Sequence, residues 1–338
     1  MPGSGPVTGF ERQNRKTRLK PQRILRYTKR SAGTSTGGTV HAYNSMMEEV
    51  SQAHATPSGE QASLPANASV TGDLRLHEFR SRVFRNTRML RVWLPPRYDA
   101  PDNKARHYPV LYLNDGQNLF DRVAAFAGVE WQVDETADRL IRQEVIPPLI
   151  IVGIDNAQSD RIKEFLPYRS FHPAILRPQG KRYPNFLMDE VMPFVCERYR
   201  VARGPENTGL GGSSLGALIS LYTVIERPAV FGRLLLESPS LFISNRRILK
   251  NARHFRKWPA KVFMAMGTRE SGREDKDRQV VEDVRELERS LRRAGLDDRR
   301  LLVKIDEGAT HNESEWAKRF PEALSFLFGK VDRAVEQG

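Results

Sequence analysis

The chain has 338 residues, 39% hydrophobic and 28% charged, which is enough for one large α/β core or two small ones. No run approaches the ~18 consecutive apolar residues of a membrane-spanning helix, so no membrane partner is expected. No apolar stretch of the signal-peptide kind follows the first charges, and the cytoplasm is the expected compartment.

The single cysteine, Cys196, excludes an internal disulfide. It falls in an apolar helical pattern with Met192, Val195 and Tyr199, so a buried structural thiol is expected. Neither C-x-x-C nor H-E-x-x-H spacing occurs, and no metal or cofactor is expected. The formal charge of +13 is partly local. Arg12, Arg15, Lys16, Arg18, Lys20, Arg23, Arg26, Lys29 and Arg30 crowd one segment, opposed only by Glu11. Residues 1–72 are rich in Gly, Ser, Thr and Ala and have few apolar clusters. They predict a disordered basic extension. Such an arm can hold nucleic acid through charge alone. No pattern of interleaved aromatics suggests base stacking, so nucleic acid is not the expected partner.

Residues 73–330 predict one α/β domain, followed by a tail at 331–338. Leu76–Val83 and Met89–Leu94 alternate as two strands. Val110–Leu113 is a continuous apolar run, the pattern of a buried central strand. Trp131–Gln143 reads as a helix stopped by Pro147-Pro148, and Leu149–Ile154 as the next buried strand. Residues 156–182 form a long irregular connection, and Tyr183–Arg200 is helical. Strands follow at Asn207–Gly211, Arg233–Glu237, Lys261–Gly267 and Arg300–Ile305. Between them Ser244 caps a short helix to Ala252. Val280, Val284, Leu287 and Leu291 form one helical face closed by Gly295. The last helix, Ser314–Phe328, buries Trp316, Phe320, Leu324 and Leu327. Alternating strands and helices predict an α/β fold: a mainly parallel central sheet with helices on both faces.

The chemistry centres on Gly212-Ser213-Ser214-Leu215-Gly216. Read as G-x-S-x-G between a strand and a helix, it is a nucleophile elbow with Ser214 at the turn. The strained turn leaves no room for a Cβ two residues before or after the serine, and glycines fill both places. The third glycine of a G-x-G-x-x-G dinucleotide loop is missing, since Ser214 stands there. In an α/β-hydrolase the acid and histidine follow the serine in chain order. His311 lies in the loop after the last strand and is the expected general base. Glu270, three residues past Gly267, is the first choice for the acid, with Glu274, Asp275 and Asp277 as alternatives. The expected oxyanion hole pairs the N–H groups of Leu215 and Gln117. Trp131 and Asp115 are the expected substrate contacts. Tyr168, Phe171 and Arg169 lie on loops that could face the site. Arg161, Arg169 and Arg177 read as solvated charges rather than as a binding site for an anionic ester.

Taken together, Leu111–Asp121 (LYLNDGQNLFD), Val152–Asn156, the elbow and Thr310-His311-Asn312-Glu313 resemble the esterase family of α/β-hydrolases that includes enterochelin-type siderophore esterases, feruloyl esterases and esterase D-like hydrolases. The likeness runs from about Leu74 to Phe328. It implies a serine carboxylic-ester hydrolase, with Ser214 and His311 matching the family's nucleophile and base. Siderophore-type, feruloyl and short-chain acyl esters are the implied substrates. Ala217 stands where relatives often carry glycine, and Glu270 where they often carry aspartate. Acyl transfer to an alcohol other than water uses the same groups. A non-catalytic scaffold carrying the basic arm is the reading from another class. The oligomeric state is not legible in the sequence.

Overall fold

The computed structural model describes residues 69–169 and 177–329. The basic arm up to residue 68, Phe171 and the tail 331–338 lie outside the described residues.

Eight strands form one sheet: β1 (Asp73–Arg80), β2 (Thr87–Leu94), β3 (Val110–Asn114), β4 (Ile150–Ile154), β5 (Thr208–Ser213), β6 (Arg233–Glu237), β7 (Lys261–Gly267) and β8 (Leu301–Asp306). Their order is β1-β2-β4-β3-β5-β6-β7-β8. β1 and β2 form an antiparallel hairpin, and β2 runs antiparallel to β4. From β4 onward every pairing is parallel. All residues of β3 and β4 are buried, as strands covered on both faces must be.

Side chains alternate across a strand, so each inner strand feeds two cores. Leu111, Leu113, Ile151, Leu235 and Phe263 join one cluster with α1 (Val133–Arg142) and the last helix, α7 (Glu313–Phe328). The other face receives α4 (Ser214–Glu226), which packs on β5 and β6 and is buried at every residue from Ser214 to Val224. A helix apolar all round has no solvent side to offer, so this one is central.

Several elements depart from the sequence reading. β1 ends at Arg80 rather than Val83. The buried Glu190 carboxylate accepts from the Ser81 hydroxyl and from the Arg82 and Val83 amides, taking the donors that a longer ladder needs. The folded unit also begins before residue 73. Val70 packs on the core, and the Trp93 indole N–H donates to the Thr71 carbonyl at 2.8 Å. The connection expected to be irregular contains α2 (Arg161–Phe165). It is anchored by a buried Arg88–Glu164 ion pair. The helix expected from Tyr183 contains a π-helical stretch at Phe186–Val191 before α3 (Met192–Arg198). Cys196 is exposed, which corrects its expected burial. Val191 and Val195 face the core, and Cys196 sits about 100° further round the helix from Val195. Ser244 does not cap a helix: in α5 (Ile243–His254), Ser244, Asn245 and Arg246 have φ of 51°, 55° and 59°. Arg246 in turn pairs with Asp283 and Glu286 of α6 (Glu274–Arg293). Gly295 closes α6 with φ 91°, as its position predicts.

One close approach matters for the site. A Cβ on Gly116 would lie 2.5 Å from the Gly153 carbonyl carbon and 2.7 Å from the Ile154 nitrogen. Both contacts are backbone and cannot swing aside. Gly116→Ala is therefore expected to destabilise the protein by about 1–3 kcal/mol, read as a lower urea midpoint with unchanged slope.

Candidate active site

β5 runs directly into α4, and Ser214 at the junction has φ 54°. Left-handed backbone costs a residue with a Cβ roughly 1–2 kcal/mol. The surroundings hold it there. A Cβ on Gly212 would meet the Gly216 carbonyl carbon at 3.0 Å, and one on Gly216 would meet an Asp115 carboxylate oxygen at 3.0 Å. The Ser240 N–H donates to the Ser214 carbonyl at 3.2 Å. Leu215 lies in the first turn of α4, where backbone N–H groups have no acceptor within the helix and form its positive end.

A carboxylate and an imidazole come from the neighbouring strand ends. The loop after β7 is fastened to the loop after β8: Thr268 N–H donates to the Asp306 carbonyl and Arg269 N–H to the Ala309 carbonyl, each at 3.0 Å. A Cβ on Gly267 would sit 2.2 Å from the Ala309 oxygen, so glycine permits this contact. In that frame Glu270 Oε2 lies 2.5 Å from His311 Nδ1. Glu270 Oε1 accepts from the Gly267 N–H at 2.6 Å and from the Ser238 hydroxyl at 2.8 Å. Burial opposes the Glu270 charge, but the bonds from His311, Gly267 and Ser238 outweigh it and hold the carboxyl below its ordinary range. An ionised acceptor at Nδ1 favours a proton there and leaves Nε2 as the basic nitrogen. The alternative acids are elsewhere. Asp277 accepts from Ser271, while Glu274 and Asp275 are exposed and pair with Arg278 and Arg273.

Ser214 Oγ has Ser240 Oγ as its partner at 3.3 Å. Among the described residues no hydrogen bond joins Ser214 to His311. The link runs through Glu237-Ser238-Pro239-Ser240 at the end of β6, where Ser238 touches the acid and Ser240 the serine. Sequence reasoning missed both. A Ser-Pro-Ser run on the strand next to the elbow was the available signal. Trp316 braces this corner: its indole N–H donates to Ser238 Oγ at 3.0 Å, and its ring meets the His311 ring edge-on at 5.1 Å. The buried Arg319–Glu237 pair lies behind, at 2.8 Å.

The loop after β3 places the remaining predicted residues. Asp115 has φ 59° and starts the short turn Gly116–Asn118. Its carboxylate accepts two bonds from Arg161 and one from Asn156 Nδ2, all at 2.7 Å. Both of its oxygens are taken by these bonds, so its carboxylate organises the loop rather than standing free as the expected substrate contact. Arg161 is likewise not a solvated charge: burial disfavours its guanidinium, but Asp115 overcomes this and raises it. Gln117 Oε1 accepts from the Asn156 N–H at 3.3 Å. Asn118 Nδ2 donates to Glu313 at 3.0 Å, tying this loop to the residue two past His311. Trp131 is corrected outright. At 1% exposure it packs against Trp316 and Phe320, behind the site rather than in it. Tyr168 packs edge-on against Tyr222 of α4 and accepts from Asn251. Arg169 and Arg177 are exposed. Among the described residues no helix is long and apolar enough to cross a membrane.

A mostly parallel sheet of this strand order, turning into its central helix at a left-handed serine, is α/β-hydrolase architecture. The family model described as "Putative esterase" matches residues 81–327, so the chain belongs to that family and is an esterase acting on carboxylic esters. It is 27% identical over 265 residues to the uncharacterised protein YbbA of Bacillus subtilis, covering 77% of this chain and 97% of that one. It is 25% identical over 161 residues to the ferri-bacillibactin esterase BesA of Bacillus subtilis, covering 44% and 53% of the two chains. The crystal structure of the BES protein from Bacillus cereus shares the fold with a TM-score of 0.62 at 20% identity, over 79% of this chain and 100% of that one.

Proposed function

We propose that the protein hydrolyses carboxylic esters through an acyl-enzyme on Ser214, with His311 as general base and Glu270 as the acid that orients it. The observation that carries this reading is the Glu270–His311 bond beside a serine held at positive φ. The Ser214 hydroxyl turns from Ser240 toward His311 Nε2 for the reaction, since a general base must come within hydrogen-bond reach of the proton it takes. His311 takes the hydroxyl proton while Oγ attacks the ester carbonyl carbon. The N–H groups of Leu215 and Gln117 stabilise the oxyanion, each typically contributing about 3 kcal/mol. Collapse of the tetrahedral intermediate breaks the bond to the alcohol, which leaves with the proton from His311. Water, deprotonated by His311, then attacks the acyl carbonyl, and Ser214 recovers its proton as the acid departs.

The proposed substrate class is a siderophore ester, on the strength of the BesA relative, whose name specifies ferri-bacillibactin. The test compares ferri-bacillibactin, methyl ferulate and p-nitrophenyl butyrate on the full chain. At least tenfold higher kcat/KM on ferri-bacillibactin is expected. No cleavage of it, alongside fast turnover of either other ester, removes the substrate assignment and leaves the ester hydrolase.

A further inference from the structure

Away from the serine, the start of α1 gathers Glu130, Asp134 and Glu135. One carboxylate oxygen from each lies within 4.8 Å of the other two. Glu130 is 4% exposed and Asp134 is 0% exposed. Each has one oxygen engaged: the Ser69 hydroxyl donates to Glu130 Oε1 and the Thr71 N–H to Asp134 Oδ2, both at 2.6 Å. The remaining oxygens, Glu130 Oε2 and Asp134 Oδ1, are shut off from solvent without any hydrogen-bond donor, as is Glu135 Oε2.

This arrangement needs a positive counterpart. Among the described residues no Lys, Arg or His forms an ion pair with any of the three. Asp121 adds a further negative charge beside Glu130, which Arg122 partly opposes. The first turn of α1 favours negative charge, but a helix end offsets only a fraction of one unit. Unpaired buried carboxylates are strongly unfavourable, so either a proton or a cation must complete the cluster.

We propose that Glu130, Asp134 and Glu135 form a structural site for a divalent, oxygen-seeking cation of the calcium class. All three donors are hard, anionic oxygens, with no imidazole or thiolate among them, which suits calcium rather than zinc. Oxygens on opposite sides of one calcium ion, each at about 2.3–2.6 Å, span the separation found here. Water completes the shell. The ion clamps Ser69–Thr71 onto the start of α1 through the carboxylates these residues already contact. The site is independent of the proposed reaction chemistry.

The experiment is calorimetric titration of the chelator-treated full chain with calcium chloride, paired with thermal melts. One-to-one binding is expected, with Tm raised by at least about 5 °C when calcium stands near a hundredfold above its dissociation constant. Glu135→Gln, at a half-buried position, is expected to weaken binding at least tenfold while keeping the circular-dichroism spectrum of the chelated parent. Two results overturn the proposal: no heat and no Tm shift up to about 5 mM calcium, beyond the range of weak calcium modules, or unchanged binding in Glu135→Gln. Either leaves a proton shared between Asp134 and Glu135 as the charge balance.

Discussion

Ser214→Ala is expected to lower kcat on p-nitrophenyl butyrate by about 10⁴–10⁶-fold, with KM changed far less. Removing the hydroxyl removes the covalent route, so what survives is the contribution of the oxyanion donors and of binding. The variant should stay folded. Alanine at this position still has φ near 54°, so the backbone strain is unchanged, and only the bond to Ser240 is lost. An identical far-ultraviolet spectrum and denaturation midpoint, together with the collapse of turnover, separate chemistry from stability. Turnover within tenfold of the parent removes Ser214 as nucleophile.

Glu270→Gln is expected to cost about 10³–10⁴-fold in kcat. The amide can present its N–H to Nδ1, stabilising the tautomer whose proton sits on Nε2, where the base is needed. It also removes the charge that supports the imidazolium. Asp277→Asn, whose carboxylate bonds Ser271 rather than His311, is expected to leave kcat within about threefold. The same substitution at Glu270 has a stability signature. Burial works against this carboxylate, yet its hydrogen bonds depress the folded-state value below the ordinary one. The stabilisation is therefore fully present above the unfolded carboxylate range, near pH 4.5, and is lost as pH falls through the folded value. The gap in Tm between parent and Glu270→Gln should be widest near neutrality and close on acidification below about pH 4.5.

What the sequence made legible follows from how local each constraint is. The elbow is written in five residues because a single tight turn imposes them: the glycines flanking Ser214 are demanded by contacts to Gly216, Asn114 and Asp115 in the adjoining turn and strand end. The parallel strands read clearly because burial on both faces removes polar positions from runs such as Leu149–Ile154. The α7 face was legible from the spacing of Trp316, Phe320, Leu324 and Leu327. The acid was legible only as a first choice, Glu270, among four carboxylates after β7, because the choice among them depends on which loop β8 brings alongside. Trp131 shows the same limit. An aromatic beside a loop looks exposed in sequence, whereas Trp316, 185 positions later, covers it. Cys196 was assigned by helical period, and the core-facing side of α3 is centred on Val195 instead. Asp115 and Arg161, 46 residues apart, could not be paired from sequence, so one read as a substrate contact and the other as surface charge.

Mass spectrometry of the wild-type chain after reaction with a fluorophosphonate probe tests the central claim most directly. One adduct, on the Ser214 oxygen, formed with loss of esterase activity in step with labelling, is the predicted result. An enzyme that hydrolyses esters while Ser214 stays unlabelled, or that carries the inactivating adduct on another residue, contradicts it.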